Sequence, residues 1–324
     1  LAKFCNVREE AVIQSIDAST IYDVPNLMLD EGLDKVVLKK LNLKSDEPNL
    51  TQWNQFLQRH KNPKGSVKIG LIGKYVELQD SYKSILESFI HAGATNEVKV
   101  EVVSIHSEFI DAKNIEKELK GLDGILVAPG FGERGIEGKI AAARYARENK
   151  VPYLGICLGM QVALIEYARN VAGMEKANST EFDSETPYPV VGLITEWLDA
   201  AGTTETRTEN SDLGGTMRLG SQLCHLIEGT KVHEMYGNAE IYERHRHRYE
   251  FNDSYRETLE KAGLKITGTN PKTGLVEIIE MEDHPWFVGV QYHPEYKSTV
   301  ANPHPLFVAY VQAAVKYSQS KRKK

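Results

Sequence analysis

Apolar, β-branched runs alternate with helix-like runs from Val67 onward. Each apolar run is followed by a stretch whose apolar residues recur at helical spacing. The apolar runs are VKIGLIG (67–73), VKVEVVSI (98–105), GILVAPG (124–130) and PYLGI (152–156). Successive strand–helix units predict an α/β fold with a mostly parallel central sheet and helices on both faces. In such sheets the chemistry lies at the carboxyl ends of the strands, where loops meet helix N-termini.

The rest of the chain is divided around this core. Residues 1–40 contain a short apolar strand, a turn and two helical pieces, which is too little for an independent core. Residues 41–66 are polar and punctuated by proline and glycine, which predicts a connecting helix and a linker. The main domain is expected over 67–318, and strands dominate it beyond about residue 185. The basic ending KRKK predicts a solvated tail over 319–324.

The composition is that of an ordinary globular protein. Of 324 residues, 41% are hydrophobic and 26% are charged, and no apolar run is long enough to span a bilayer. A net charge of -6 gives no overall attraction to nucleic acid. An odd number of cysteines in a long chain without a signal peptide indicates a reducing compartment, so we expect a cytoplasmic protein. The chain opens inside a strand-like run without methionine, which predicts that it begins partway through a longer protein.

A cysteine lies between two glycines where the fourth apolar run meets its helix. Gly155, Cys157 and Gly159 form G-x-C-x-G, the layout of the G-x-S-x-G nucleophile elbow. A sharp strand-to-helix turn leaves no room for bulky neighbours, and a helix N-terminus favours a thiolate. The backbone N–H of Leu158 is then free to donate to an oxyanion. The alternative is that Cys157 is a small buried hydrophobe.

A histidine near the end of the chain is the candidate base for this thiol. His293 ends the apolar run WFVGVQY and precedes Pro294 and Glu295. In an extended backbone, residues i and i+2 share a face, so the imidazole has a carboxylate beside it to orient it. The alternative is an ordinary charged pair at a strand end. With the elbow, the pattern favours a Cys-His-Glu triad.

The run RHRHR (244–248) alternates cations with histidines. In a strand, Arg244, Arg246 and Arg248 share one face, and His245 and His247 share the other. This pattern is also typical of phosphate or nucleic-acid patches, and H-x-H is typical of metal sites. Three flanking cations oppose a divalent ion, so no metal is expected. One arginine is expected in a pocket, and the other two are expected in ion pairs or facing a nucleotide.

The motifs around these residues carry a family resemblance. GICLGMQ (155–161) and GVQYHPE (289–295) resemble the triad glutaminases of the class I glutamine amidotransferases. Residues 4–25 resemble the end of the synthetase domain of the CTP synthase family. Five separated stretches, in order, resemble the glutaminase domain of that family: GKYVELQDSYKSILE (73–87), VAPGFGERGIEGK (127–139), ANSTEFD (177–183), LGGTMRLG (213–220) and ERHRHRYEFN (243–252).

The resemblance implies a class I glutamine amidotransferase-like fold with a strand-rich C-terminal part. Residues 1–40 become a remnant of the synthetase (amidoligase) domain and 41–66 an interdomain linker. Cys157 would attack the glutamine carboxamide, His293 would move the proton and Glu295 would hold the imidazole. The implied oxyanion donors are the N–H groups of Gly130 and Leu158. The implied glutamine-binding residues are Gly130, Phe131, Leu158, Gly159, Met160, Gln161, Glu181 and Arg248.

One loop departs from the family pattern and another resembles its lid. Ala128 and Pro129 replace the first two residues of the commoner Pro-Gly-Gly-Phe-Gly; Pro129 cannot donate an N–H, and we expect a small effect. LGGTMRLG is expected to be a mobile lid outside any regular element. Residues implied as lid or GTP-linked are Arg134, Gly135, Glu137, Gly214, Gly215 and Arg218. The alternative for Arg134 and Glu137 is ordinary surface charge.

The resemblance also implies substrates and partners. Glutamine hydrolysis through a thioester would supply ammonia for ATP-dependent amination of UTP to CTP. The implied partners are L-glutamine and the synthetase domain, in a homotetramer when full length, without nucleic acid or membrane. No cofactor or metal is expected in this chain, whereas ATP, UTP, Mg²⁺ and the activator GTP are expected in the full enzyme. No G-x-x-x-x-G-K-[ST] occurs, so the chain alone is not expected to make CTP. The alternatives are another thiol hydrolase, such as a γ-glutamyl hydrolase, and a non-catalytic scaffold.

Overall fold

The computed structural model describes residues 1–193, 196–198, 204–206 and 217–322. The chain divides into two compact units, Leu1–Asn62 and Pro63–Lys324. In the described residues, no helix combines the length and the apolar content needed to cross a bilayer.

The first unit consists of short helices. An aromatic cluster joins two of its segments: Tyr22 packs on Phe56 with ring centroids 4.9 Å apart, and the Trp53 indole N–H donates to the Tyr22 carbonyl at 2.8 Å. The strand predicted near the N-terminus is wrong, because the described part of this unit contains no second strand with which it could pair. The helices are α1 (Ala2–Cys5), α2 (Val24–Asp30), α3 (Leu33–Leu41) and α4 (Thr51–Lys61), the last being the predicted connecting helix.

The second unit alternates strands and helices in its first half and is strand-rich in its second. Its helices are α5 (Lys83–Thr95), α6 (Ile115–Leu119), α7 (Ile136–Glu148), α8 (Leu158–Asn170), α9 (Lys231–Tyr236), α10 (Arg256–Lys261) and α11 (Pro305–Lys321). Its strands are β1 (Ser66–Gly73), β2 (Lys99–His106), β3 (Gly124–Val127), β4 (Tyr153–Ile156), β5 (Ala177–Ser179), β6 (Tyr188–Leu193), β7 (Glu196–Leu198), β8 (Thr204–Thr206), β9 (Arg218–Leu226), β10 (Glu240–His247), β11 (Tyr249–Phe251), β12 (Leu264–Thr269), β13 (Val276–Met281) and β14 (Phe287–Val290).

A mixed sheet organises this unit. In the described chain it has nine strands in the order β10-β9-β12-β13-β14-β4-β3-β1-β2. The run from β14 to β2 is parallel, and the run from β10 to β14 is antiparallel. β14 pairs with β4 in parallel, with Val290 opposite Ile156. The predicted parallel sheet is therefore confirmed, and the strand-rich second half extends it.

Helices cover both faces of the sheet. Alternate residues along a strand feed opposite layers: Leu126 of β3 packs in the layer with α5 and α11, and Val127 packs in the layer with α7 and α8. The central strands are buried on both sides, which explains why they appear in the sequence as nearly continuous apolar runs. The core thus fixes the carboxyl ends of the parallel strands along one edge.

Two sequence predictions about irregular segments are wrong in part. The tail predicted over 319–324 continues α11 as far as Lys321, whose ammonium pairs with Asp123 at 2.7 Å. The loop predicted over LGGTMRLG is already strand β9 from Arg218 onward, because this segment pairs antiparallel with β10. Gly214 and Gly215 lie outside the described residues.

A tight turn joins β4 to α8. A Cβ added to Gly155 would lie 2.6 Å from the Gly159 carbonyl carbon, and one added to Gly159 would lie 2.3 Å from the Val127 oxygen. Real Cβ atoms do not approach backbone this closely, so any larger residue at either position forces the turn apart. The two glycines therefore let α8 begin directly against β3.

We expect Gly159→Ala to lower the free energy of unfolding by about 1–3 kcal/mol, because the added methyl group must push the start of α8 away from β3. Thermal or denaturant unfolding measures this change. Gly65→Ala is the matched control, since a Cβ there meets nothing within 4 Å. We expect it to change stability by no more than about 0.5 kcal/mol. Equal stability of the two variants would contradict the tight-packing interpretation.

Candidate active site

A cavity of about 540 Å³ opens at the carboxyl edge of the parallel strands. Its walls come from the segments that follow β1, β3 and β4, from the β10–β11 connection and from the segment after β14. These segments meet because the carboxyl ends of parallel strands lie along one edge. The predicted site residues that line it are Gly130, Phe131, Cys157, Gln161, Glu181, Arg248 and His293.

Cys157 occupies the turn itself, as the residue before α8. Its φ of 53° and ψ of -105° lie in a region that L-residues rarely adopt. A hydrogen bond from its N–H to the Val290 carbonyl at 2.7 Å ties the turn to β14. The sulfur lines the cavity, and the Gln291 side-chain amide donates to it at 3.7 Å. The thiol is therefore held in a strained backbone, against the strand that leads to His293.

His293 and Glu295 form a buried pair beside this sulfur. The imidazole Nδ1 and a Glu295 carboxylate oxygen are 2.8 Å apart, so the Nδ1–H donates a hydrogen bond to Glu295. Nε2 is buried, and no described residue hydrogen-bonds to it. Burial lowers the pKa of His293, but Cys157 and Glu295 outweigh burial and raise that pKa to about 10. The arrangement keeps an imidazolium next to the sulfur at neutral pH.

The loop after β3 also lines the cavity. Its Gly130 lies against Leu158, since an added Cβ would be 3.4 Å from the leucine side chain. The Leu158 N–H has no acceptor within its own helix, because it is the first residue of α8. No hydrogen bond of the Gly130 N–H to a described residue is present. Two backbone N–H groups close to Cys157 are thus available to a ligand.

Glu181 and Arg248 bring opposite charges to the cavity, as the sequence predicts. The Glu181 carboxylate accepts a hydrogen bond from the Gly132 N–H at 2.7 Å. Burial raises the pKa of Glu181, although this hydrogen bond, Lys74 and Arg248 act in the opposite direction. Gln161 is nearby, and its side-chain amide donates to the Tyr249 carbonyl at 2.9 Å. The carboxylate and the guanidinium can therefore bind the two charged ends of an amino acid.

Some predicted ligand-binding residues do not line the cavity. Met160 is fully buried, and Gly159 packs on the Val127 carbonyl. Leu158 is buried, and its side chain packs against Gly130. Phe131 does line the cavity and is 82% exposed. Every residue of α8 from Leu158 to Ala168 is buried, so most of the start of this helix lies in the core and only Gln161 reaches the cavity.

Arg134, Gly135 and Glu137, which are predicted as lid or GTP-linked residues, do not line the cavity. Arg134 pairs with Glu108 at 2.6 Å and lies over the Tyr75 ring at 4.8 Å. Glu137 pairs with Arg169 at 3.0 Å. Gly135 has a φ of 73°, and a Cβ there would collide with a neighbouring hydroxyl at 2.4 Å. Arg134 and Glu137 thus hold ordinary surface ion pairs in this structure.

Arg218 is buried rather than exposed on a lid. Its guanidinium bonds Glu250 at 2.9 Å and Glu277 at 2.7 Å. Burial raises the pKa of Glu250 to about 8 despite this cation. His245 and His247, hydrogen-bonded to each other at 2.8 Å, face the same cluster. Burial lowers the pKa of both histidines, so they are neutral. Arg244 and Arg246 occupy the exposed face of the strand, but Arg246 lines the cavity together with Arg248, so the expectation of a single arginine in the pocket is wrong.

Sequence reasoning missed several residues of the cavity. Lys74 follows β1 at the same edge as the other site residues, and its ammonium donates to the carbonyls of Phe131 at 2.6 Å and Gly132 at 3.0 Å. Tyr296 stacks on His293 with ring centroids 5.2 Å apart. The position of Lys74 directly after a predicted strand was the available signal. Other lining residues without such a signal are Tyr75, Tyr82, Met217, His247 and Tyr249.

Two family models and several relatives match the chain. Residues 77–313 match the family model described as glutamine amidotransferase class-I, and residues 1–43 match the model described as CTP synthase N-terminus. The chain is 67% identical to a CTP synthase of Flavobacterium psychrophilum and 66% identical to one of Christiangramia forsetii. In both cases the match covers 98% of this chain and 57% of the relative, so the chain spans little more than half of their length.

A solved structure is similar over the amidotransferase part. It is the glutaminase domain of Trypanosoma brucei CTPS with bound acivicin, with a TM-score of 0.70 and 38% identity. The match covers 77% of this chain and 94% of that one. The family match thus extends over most of the second unit and includes the cavity residues other than Lys74 and Tyr75. The chain therefore belongs to the class I glutamine amidotransferase family and, within it, to the CTP synthase group.

Proposed function

We propose that this chain hydrolyses L-glutamine through a Cys157 thioester and releases ammonia for the synthetase part of a CTP synthase. The observation that carries the proposal is the meeting of a strained thiol and His293 in one cavity, with Glu295 hydrogen-bonded to the imidazole and with the backbone N–H groups of Gly130 and Leu158 unpaired within the described residues. Nucleophile, base and orienting carboxylate in this order are what acyl transfer requires.

The mechanism follows from the positions of these groups. The sulfur attacks the carboxamide carbon, and the developing oxyanion accepts hydrogen bonds from the N–H groups of Gly130 and Leu158. His293 gives its Nε2 proton to the departing nitrogen, so ammonia leaves and a glutamyl thioester remains. His293 then takes a proton from water, which attacks the thioester carbon. Glutamate leaves, and the Cys157 sulfur and the His293 imidazolium are restored. The sum is glutamine and water to glutamate and ammonia.

Glutamine recognition is proposed to use both charges of the cavity. The Glu181 carboxylate binds the α-ammonium group and the Arg248 guanidinium binds the α-carboxylate, with Gln161 beside them. Charge-assisted hydrogen bonds of this kind fix the amino acid so that its carboxamide reaches the sulfur.

The ammonia is proposed to aminate UTP in the full-length enzyme. The support is the name of the relatives, the match of residues 1–43 and the coverage of just over half of each relative. ATP, UTP and Mg²⁺ belong to that reaction, and GTP is the expected activator. The synthetase domain, in a homotetramer, is the expected partner.

Covalent labelling tests the proposed nucleophile. We expect 6-diazo-5-oxo-L-norleucine, a glutamine-like electrophile, to label Cys157, and glutamine to protect it, as measured by mass spectrometry. Cys224 serves as an internal control, because burial raises the pKa of its thiol and keeps it unreactive. Cys157→Ser is the matched variant and takes up no label. Labelling that glutamine does not prevent would indicate a different acyl substrate and refute the proposal.

The role of Glu295 is tested by the pH profile. Because the Glu295 carboxylate raises the pKa of His293, Glu295→Gln is expected to lower it, so the imidazolium is lost at a lower pH. We expect the alkaline limb of kcat/KM near pH 10 in the unmodified chain to move toward neutrality, with kcat reduced about 10²-fold. Glu257→Gln, an exposed carboxylate, is the control. An unmoved alkaline limb would exclude Glu295 as the orienting group.

Substrate recognition is tested at Arg248. We expect Arg248→Met to raise KM for glutamine by about 10- to 100-fold, as loss of a charged hydrogen bond of about 1.5–3 kcal/mol requires. Steady-state ammonia release measures it, with Arg144→Met on the exposed side of α7 as control. A KM equal to that of the control would remove Arg248 from the glutamine site.

A further inference from the structure

A lysine is fully buried behind the loop that carries Gly130. Lys139 of α7 has no exposed surface, although lysine is among the residues least often buried. Its ammonium donates to the Ala128 carbonyl at 2.8 Å. Within the described part of the chain, no carboxylate forms an ion pair with it. This cation therefore has a backbone carbonyl, rather than an anion, as its observed partner.

Stability alone does not account for this side chain. Desolvating an ammonium group is costly, and an apolar side chain of the same length would fill the space without that cost. Burial, with a smaller contribution from Lys74, lowers the pKa of Lys139 to about 7, although Cys157 acts in the opposite direction. The lysine thus lies within the electrostatic reach of both the reactive sulfur and the second lysine of the site.

The position of the ammonium relative to Gly130 indicates what it does. A Cβ added to Gly130 would lie 3.4 Å from the Lys139 nitrogen, so the ammonium is directly beside the glycine. On one side of Gly130, Lys139 holds the Ala128 carbonyl. On the other side, Lys74 holds the carbonyls of Phe131 and Gly132. Gly130 therefore lies between carbonyl groups that hydrogen bonds from the two lysines hold in place.

Such anchoring has a specific effect on a glycine loop. Glycine adopts many backbone conformations, so the peptide group before Gly130 can rotate unless its neighbours are fixed. Pro129 restricts its own φ but has no N–H with which to anchor the loop. With a carbonyl fixed on each side of Gly130, rotation of its peptide groups is restricted, and so is the direction of its N–H.

We propose that Lys139 is a positioning residue, which holds the Ala128 carbonyl so that the Gly130 N–H points at the oxyanion of the transition state. The inference rests on the proposed glutaminase function. Its consequence is a separation of effects: the bound substrate gains little from a precisely aimed N–H, whereas the tetrahedral state gains much. Removing the ammonium should therefore lower kcat and leave KM nearly unchanged.

The test uses Lys139→Met in the whole chain, with Lys117→Met as the control because Lys117 is exposed. We expect Lys139→Met to unfold at the same temperature as the control or higher. We expect kcat for glutamine hydrolysis to fall about tenfold or more, short of the 10²–10³-fold that follows loss of a whole oxyanion donor, with KM changed less than about twofold. Lys139→Gln keeps a neutral donor and is expected to retain more of kcat.

A tetrahedral analogue separates this role from a purely structural one. An aldehyde analogue of glutamine, L-glutamate γ-semialdehyde, forms a thiohemiacetal with the thiol and places an oxygen where the oxyanion develops. We expect its affinity to fall in Lys139→Met by the same factor as kcat. Glutamine binding, measured in the Cys157→Ala background with and without Lys139→Met, should not change.

The outcomes distinguish the two proposals. Unchanged kcat in Lys139→Met overturns the positioning role while leaving the glutaminase proposal intact. A lower unfolding temperature, a raised KM and a lowered kcat, all together, also overturn the positioning role, because they indicate general damage to the structure. If Lys139→Met does not fold, the kcat, KM and unfolding temperature of Lys139→Gln decide whether Lys139 has the positioning role. An unmodified chain that neither releases ammonia nor takes up the glutamine-like label refutes the glutaminase function itself.

Discussion

The site depends on the backbone contact between the β4–α8 turn and its neighbouring strands. Gly155 and Gly159 let α8 begin against the Val127 carbonyl, and the Cys157 N–H bonds the Val290 carbonyl of β14. Because β3, β4 and β14 are adjacent and parallel, their carboxyl ends carry the Gly130 loop, Cys157 and His293 side by side. The other walls of the cavity surround these three strand ends. Lys74 comes from the segment after β1, and Arg246 and Arg248 come from the end of β10 and the residue after it.

The charges around the cavity act together. Lys74, Arg246 and Arg248 line it, Glu181 is a carboxylate in its wall, and Lys139 lies just behind. A predominantly cationic surrounding stabilises a thiolate, an oxyanion and a carboxylate in turn. It also opposes protonation of released ammonia, because a new cation would be repelled. In the proposed reaction, the same field that assists the acyl step therefore keeps the nitrogen as neutral NH₃, the form that can act as a nucleophile.

The sequence was most informative where local rules determine the structure. The four strand–helix units and the turn at Cys157 depend on short-range periodicity, and both are present. His293 and Glu295 are paired as expected, but through a 3-10 turn at Pro294–Tyr296 and not through the extended backbone from which the pairing was predicted. Arg218 was placed on a mobile loop because its partners, Glu250 and Glu277, are far away in sequence. The roles of Lys74 and Lys139 depend on which carbonyls they meet, and tertiary packing alone decides that. The structure gives the contacts of the site residues that the family resemblance implies, and the roles of these residues remain proposals.

The pairing of β14 with β4 has a consequence for the order in which the protein is made. Cys157 and its neighbour Gln291 are 134 positions apart, and β14 lies in the sheet between β4 and β13. When the ribosome has completed α8, β4 is still an open edge with unpaired backbone groups. The nascent chain thus carries its thiol on an unfinished sheet, and the imidazole arrives only when β14 closes that gap. Assembly of the site is therefore a late, long-range folding event, and the open edge is the point at which the growing chain is most exposed to mispairing.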